Sequence, residues 1–381
     1  MLLYLMEYLD RLYGLPGFQV VELVTVRAAL AAATALLIAL LFGKKIIHWL
    51  QMQQLEEQVR GDLIVDHAHK TGTPTMGGII ILVSILGATL LWGALGEVYI
   101  WLIILTTAWM GVFGFIDDYI KTVKLDKRGL SPRIKVVGQT TLGILLGVVL
   151  YFHPQFSDIR SITYLPFIPN GFIDYAALGI IGPVDLTWLL YIGVSVFIIT
   201  ALSNSVNITD GLDGLASGVT AFVSLGLLAL TYIAGDSVLS GFLHSIFLPG
   251  ANELAVFAAA MAAASFGFLW YNAYPANVFM GDTGSLSLGA AVGGTALMAK
   301  VELLLPLLGL VYFVEACSVI LQTGYFKYSR WRTGAGKRLL PIAPVHHSFE
   351  SAGMHEKEIV HLFWTVAGVG VLITFLALLI Y

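Results

Sequence analysis

WYNAYPANVFMGDTGS, residues 270–285, lies between two long apolar runs, so it reads as a polar turn at the end of a membrane helix. Pro275 stops the preceding helix, and Gly281 and Gly284 let the backbone approach a ligand closely. Asp282, held between those glycines at a membrane surface, suits a Mg²⁺–phosphate site. Asn272, Asn277, Thr283 and Ser285 add hydrogen-bonding groups to the same turn. Taken alone, the stretch fits equally well as a solvated loop with helix-capping Asp and Ser.

The runs on either side place the whole chain in a bilayer. Of its 381 residues 58% are hydrophobic and only 12% charged, with a mean hydropathy of +0.85. Soluble domains are roughly 45–50% apolar and roughly 25% charged. Several apolar runs reach the length of about twenty residues that a helix needs to cross a ~30 Å hydrocarbon core. A transmembrane barrel would show short alternating segments instead. The chain is therefore expected to be an all-α integral membrane protein of about ten spans, at 22–43, 76–96, 98–116, 134–152, 184–203, 214–234, 254–272, 284–300, 302–322 and 359–381. The ninth carries Pro306, Glu315 and Gln322, which predict a bend or a cavity-facing side. No internal repeat divides the chain, so residues 1–381 read as a single polytopic domain. Residues 1–20 contain acids and lack a basic start, and read as an interfacial helix, not a signal peptide. The lone Cys317 excludes an intramolecular disulfide, and the net charge of −4 decides nothing by itself.

Orientation follows from Lys and Arg. Loop 44–75 carries Lys44, Lys45, Arg60 and Lys70; loop 117–133 carries Lys121, Lys124, Lys127, Arg128 and Arg133, with Lys135 just beyond. Loop 323–358 adds Lys327, Arg330, Arg332, Lys337, Arg338 and Lys357, whereas 153–183 and 235–253 together hold only Arg160. The positive-inside rule puts 44–75, 117–133, 204–213, 273–283 and 323–358 in the cytoplasm and both termini outside, with 153–183 as an external hairpin.

Four polar constellations fall on that cytoplasmic face. Asp117 and Asp118, in FGFIDDYIK, end the third span. Neighbours on a helix do not share a face, so the two carboxylates suit different tasks, such as facing a metal and taking a proton from a nucleophile. An interfacial acidic pair balanced by Lys121 and Lys124 is the plainer reading. In SNSVNITDGLDGLASG, Asn204, Asn207, Asp210 and Asp213 recur every third residue and share a face if helical. Such a stripe can recognise a nucleobase, a ribose or a metal-bound diphosphate, and is too long and acidic for capping alone. In DHAHKTGTPTMGG, Lys70 and Thr75 suit phosphate oxygens, although the P-loop order is absent. In GKRLLPIAPVHHSFE, His346 and His347 could ligate a metal, bind phosphate or act as an acid, without zinc-site spacing. Carboxylates, Mg²⁺ and a lysine on one membrane face are what phosphoryl transfer to a phosphorylated lipid requires. A transporter would more naturally carry its ionisable groups at mid-membrane.

The same residues carry a family likeness. From about residue 20 to the end, the chain resembles the phospho-N-acetylmuramoyl-pentapeptide-transferase family, within the polyprenyl-phosphate N-acetylhexosamine-1-phosphate transferase superfamily. Asp117 with Asp118, NITDGLDGLA and NVFMGDTGSLSLG mark the superfamily; HKTGTPTMGG and APVHHSFE are more particular to the muramoyl branch. The resemblance implies an enzyme of the bacterial cytoplasmic (inner) membrane. It would transfer phospho-MurNAc-pentapeptide from UDP-MurNAc-pentapeptide to undecaprenyl phosphate with Mg²⁺, giving lipid I and UMP. This is the first membrane step of peptidoglycan synthesis, serving cell-wall biogenesis, cell shape and division. It implies Asp282 as the Mg²⁺ ligand and Asp117 and Asp118 as the pair that engages or deprotonates the lipid phosphate. Lys70 and Thr75 would meet phosphate oxygens, and Asn207, Asp210 and Asp213 would line the nucleotide–sugar pocket. Asn272 would bond the uracil and Phe279 stack on it; Gln322, His346 and His347 would contribute from the ninth span and the loop after it. The family usually shows three histidines where this chain has His346, His347 and Ser348, which questions an essential role for the third position. Direct attack by the lipid phosphate and a covalent phospho-enzyme both fit, the direct route being favoured because Mg²⁺ and positioning suffice. Rival readings are a GlcNAc-1-phosphate transferase of the same superfamily and a transporter of lipid-linked sugars. Partners are the two substrates and membrane lipids, with no nucleic acid; a homodimer is left open.

Overall fold

The computed structural model describes residues 1–14, 18–53, 72–124, 126, 128–168, 171–181 and 183–379. Lys70, Arg60 and Lys127 lie outside the described residues. In chain order the helices are α1 Leu2–Tyr13, α2 Val24–Met52, α3 Gly78–Trp92, α4 Val98–Thr122, α5 Pro132–Phe152, α6 Ala176–Gly179, α7 Thr187–Thr209 and α8 Leu215–Ala234. They continue with α9 Ser237–Phe242, α10 Glu253–Asn272, α11 Gly281–Met298, α12 Leu305–Leu308, α13 Leu310–Thr333, α14 Val345–Ser351 and α15 Glu356–Leu379. Between α5 and α7, β1 Ile162–Tyr164 pairs antiparallel with β2 Phe172–Asp174.

Seven helices, α2, α4, α5, α7, α8, α10 and α15, are long and apolar enough to cross a membrane, and residues Glu302–Leu308 and Leu310–Thr333 are so only when taken together, with a bend of 87° between them. The bend falls where Pro306 and Gly309 interrupt the helix. The remaining two expected spans are helical but differ in kind. The apolar α3 is only 15 residues long. α11 has five Gly, two Ser and two Thr among its 18 residues. Its polarity is tolerated because it is the axle of the bundle: α3, α4, α7 and α8 pack around it, and every residue from Thr283 to Met298 is buried. Its hydroxyls bond the helix's own carbonyls, as Ser287 and Thr295 do.

Small residues make this packing close. Ala28, Ala31, Ala35, Ala39 and Gly43 form the buried stripe of α2, which faces the alanine-rich α10. A Cβ on Gly114 would collide with the Asp282 carbonyl, and one on Gly78 with the Gly284 backbone. These two contacts bring α3 and α4 onto the first turn of α11. Residues 1 and 377 both lie at the opposite end of the bundle. There the amino terminus donates to Leu90 and Leu91 at the end of α3, and Phe167 N donates to Ala377 O.

Candidate functional site

Two carboxylates leave the C-terminal end of α4 in different directions, as adjacency on a helix demands. Asp118 turns inward onto α11. Its Oδ1 accepts from Asp282 N at 3.0 Å, and its Oδ2 accepts from Thr283 N at 2.8 Å and Thr283 Oγ1 at 2.6 Å. A helix start leaves four N–H groups without partners, and Asp118 satisfies two of them from a neighbouring helix. Gly281, at φ +71°, enters this turn where a Cβ would press on Asp118 Oδ2 and the Thr75 hydroxyl. Thr75 is buried beside it, in the strand-like segment that joins Gly77 N to Phe279 O at 2.8 Å and Phe279 N to Pro74 O at 2.8 Å.

Asp117 turns the other way. Its Oδ1 accepts from Leu130 N at 2.6 Å. Its Oδ2 lies 2.5 Å from Lys121 Nζ and 3.0 Å from Lys135 Nζ. The same two ammonium groups reach Asp282 Oδ2, at 3.1 Å and 2.5 Å. Asn207, at the end of α7, donates to Asp282 Oδ1 at 2.8 Å and to Ser285 Oγ at 2.8 Å. In sequence, Lys121 balances the acidic pair and Lys135 is only cytoplasm-side charge; the structure carries both lysines on to Asp282. Lys121 is one helical turn from Asp117, and that i, i+4 spacing is the signal for it. Lys135 reaches in from the first turns of α5, a contact only the tertiary fold creates.

Asp117, Asp118 and Asp282 each offer an oxygen such that all three lie within 4.8 Å of one another, a grouping that could hold a metal ion. Hard oxygen donors of this kind suit a small divalent cation. Lys121 and Lys135 already place positive charge on Asp117 Oδ2 and Asp282 Oδ2, so a metal ion bound there would share those two carboxylates with them or displace them.

The other expected residues divide between this cluster and its surroundings. The stripe 204–213 is interrupted, because α7 ends at Thr209 and Gly214 adopts φ +82°. Asn207 joins the cluster, but Asn204 faces α5, donating to Gln139 Oε1 at 3.2 Å. Asp210 sits at the end of α7, and Asp213 Oδ2 accepts from Ala276 N at 3.0 Å. Asn272 is buried, with Oδ1 accepting from Gly214 N and Ser217 Oγ and Nδ2 donating to Val278 O. Both residues hold the 273–280 loop, on which Phe279 is half-buried. Gln322 accepts from Leu339 N and Leu340 N and donates to Leu340 O, clasping the segment after α13. Ser348 Oγ bonds Ile342 O and closes the turn before α14. His347 Nδ1 pairs with Glu350 Oε2 at 2.5 Å. His346 is buried, 3.1 Å from Glu315 Oε1. Tyr274–Pro275 and Ala343–Pro344 are cis.

With this geometry in hand, comparison with known proteins gives a uniform result. The description of glycosyl transferase family 4 matches residues 100–300, the stretch that carries every member of the acidic cluster. A relative from Salinibacter ruber, named phospho-N-acetylmuramoyl-pentapeptide-transferase, is 57% identical over 382 residues, covering 99% of each chain. Relatives of the same name from Chloroherpeton thalassium and Pelodictyon phaeoclathratiforme are 44% and 45% identical, covering 99% and 96% of this chain and 99% and 95% of their own.

Proposed function

Since the chain belongs to the phospho-N-acetylmuramoyl-pentapeptide-transferases of glycosyl transferase family 4, we propose that it transfers phospho-MurNAc-pentapeptide from UDP to undecaprenyl phosphate. The products are lipid I and UMP. The observation that carries this reading is the meeting of Asp117, Asp118 and Asp282 with Lys121 and Lys135 at one end of a membrane bundle. There a soluble nucleotide and a lipid phosphate can reach the same groups.

The chemistry follows from charge. An oxygen of the lipid phosphate bonds to the β-phosphorus of the donor, and the bond from that phosphorus to the bridging oxygen breaks, its electrons leaving with UMP. Lys121 and Lys135 hold the non-bridging oxygens and stabilise the charge that spreads over them. Asp282 and Asp117 are the proposed holders of Mg²⁺, which neutralises the diphosphate and the departing UMP when bound. Asp117 takes any proton on the attacking phosphate. Asp118, with both oxygens engaged by α11, positions Asp282 instead of touching substrate. Asn207 fixes the Asp282 carboxylate from its other oxygen.

Lys70 and Thr75 complete the phosphate side. Asp210, Asp213 and Asn272 shape the nucleotide pocket, with Phe279 against the uracil and Gln322, His346 and His347 toward the sugar and peptide. The protein is one polytopic domain of the bacterial cytoplasmic membrane. Its active site faces the cytoplasm, on the side of Lys44, Lys45, Lys121 and Lys135, and the chain ends lie outside. A covalent phospho-enzyme would support exchange of labelled UMP without lipid acceptor; the direct route predicts none.

The test is UMP release by purified protein given UDP-MurNAc-pentapeptide, undecaprenyl phosphate and Mg²⁺, with parallel runs in EDTA and with UDP-GlcNAc. Release with the muramoyl donor and metal only is the expected result. Release with UDP-GlcNAc alone would reassign the donor, and release undiminished by EDTA would remove the metal.

A further inference from the structure

Glu315 has no place in the reaction as derived so far. It is a fully buried acid on a membrane helix, α13. Such a group is costly unless partnered, and it is a functional hypothesis by default. Its two neighbours belong to the start of α14. Oε2 accepts from Val345 N at 3.1 Å, and Oε1 lies 3.1 Å from His346 Nδ1. The second contact is within pairing distance but off hydrogen-bond alignment. The χ2 torsion of histidine is broad, so a small ring rotation brings the N–H into line.

The far side of the imidazole is the informative one. His346 is 1% exposed, yet its Nε2 has no hydrogen-bond partner. It presses on Gly211, where a Cβ would collide with it. Gly211 is itself exposed and belongs to the 210–214 turn between α7 and α8. A buried ring nitrogen without a hydrogen-bond partner thus packs directly against a glycine of an exposed turn.

We propose that Glu315 is a positioning residue, which holds His346 through Nδ1 so that Nε2 is presented as an acceptor beneath the 210–214 turn. The inference rests on the transferase reading for its kinetic arm. In neutral imidazole, a proton fixed on Nδ1 by a carboxylate leaves the lone pair on Nε2. An anchoring role alone explains less. Gln322 and Ser348 already clasp the segment between α13 and α14. The anchoring pair elsewhere in the chain, Arg27 with Glu253, is bidentate, with two short contacts of 2.6 Å and 2.5 Å.

Glu315→Gln separates the two roles. The amide oxygen still accepts from Val345 N–H, while its NH₂ group faces Nδ1 and reverses the tautomer. We expect kcat/KM for UMP release to fall by about 10-fold, the worth of one hydrogen bond to substrate, with the melting temperature unchanged. In a His346→Ala background the same substitution should cost less than about twofold, because a residue acting through another has nothing left to act on. Histidine-selective ¹⁵N spectra, assigned by difference against His346→Gln, should show the Nδ1 and Nε2 shifts of His346 exchanging roles. Equal losses in both backgrounds, or ¹⁵N shifts indifferent to Glu315→Gln, would overturn the inference. A wild-type protein that releases no UMP would count against the transferase reading alone, and the ¹⁵N spectra would still decide the tautomer.

Discussion

The two ends of this bundle use the same residue types to opposite effect. At the end carrying residues 1 and 377, charges are partnered closely and shut away. Arg27 and Glu253, 4% and 6% exposed, meet in a bidentate pair that joins α2 to α10, and Ala94 N adds a third contact to the carboxylate at 3.1 Å. Lys300, 1% exposed, donates to Tyr191 and to Arg160 O, while Tyr175 donates to Glu302. At the acidic end, two lysines are each divided between two carboxylates, with the Lys121 and Lys135 side chains 35% and 21% exposed. A charge with a dedicated partner is a staple. Charges that share partners and touch solvent can exchange them for a ligand, and that is what separates a site from an anchor.

The comparison breaks most sharply at Asp282. Asp282→Asn should lower UMP release by more than about 100-fold, since a metal-bearing carboxylate is worth several kcal/mol at the transition state; melting in detergent should not move. Near-normal turnover would make the acidic end another anchor. Arg27→Ala should do the reverse. Stranding the Glu253 carboxylate costs about 3–5 kcal/mol, read as a lower melting temperature, with kcat retained by the folded fraction. Replacing both partners, Arg27→Met with Glu253→Leu, should recover most of that loss. Lys135→Gln sharpens the contrast at smaller scale, lowering kcat/KM by about 10-fold, the worth of one charge-assisted contact to a phosphate oxygen, without a change in melting. Ser348→Ala should cost only about 1 kcal/mol, the worth of one intramolecular hydrogen bond, and should leave kcat alone. A loss of activity there would give the third position of the motif a chemical role.

Much of this was legible in sequence because membrane helices announce themselves by length and apolarity: seven of the ten expected spans are helices able to cross a membrane, the ninth is a pair bent by 87°, and the other two are the short α3 and the polar α11. The composition of α11 says least about its place, for its Gly, Ser and Thr content reflects contact with other helices instead of lipid. The divergence of Asp117 and Asp118 followed from helical geometry alone. What each of them touches did not: the link from Asp118 to Thr283 crosses 165 residues of chain. Asn272, Asp213 and Gln322 are expected to face substrate, and each of them also holds neighbouring backbone. A buried amide that organises a loop and one that reads a base look the same in sequence. Lys135 shows the converse, a basic residue whose membership in the site depends on how α5 leans against α4.

The hold of Asp118 on the first turn of α11 has a mechanical consequence. With Gly114 and Gly78 meshed against that same turn, α3, α4 and α11 form a geared floor in which α4 cannot slide along α11 without breaking three hydrogen bonds at once. Motion that admits a bulky donor or releases a lipid product is therefore expected in the walls, such as the bent α12 and α13, whose far end bears the 82% exposed Trp331. The α14 segment, tied to α13 through Gln322 and Glu315, would move with it as a unit.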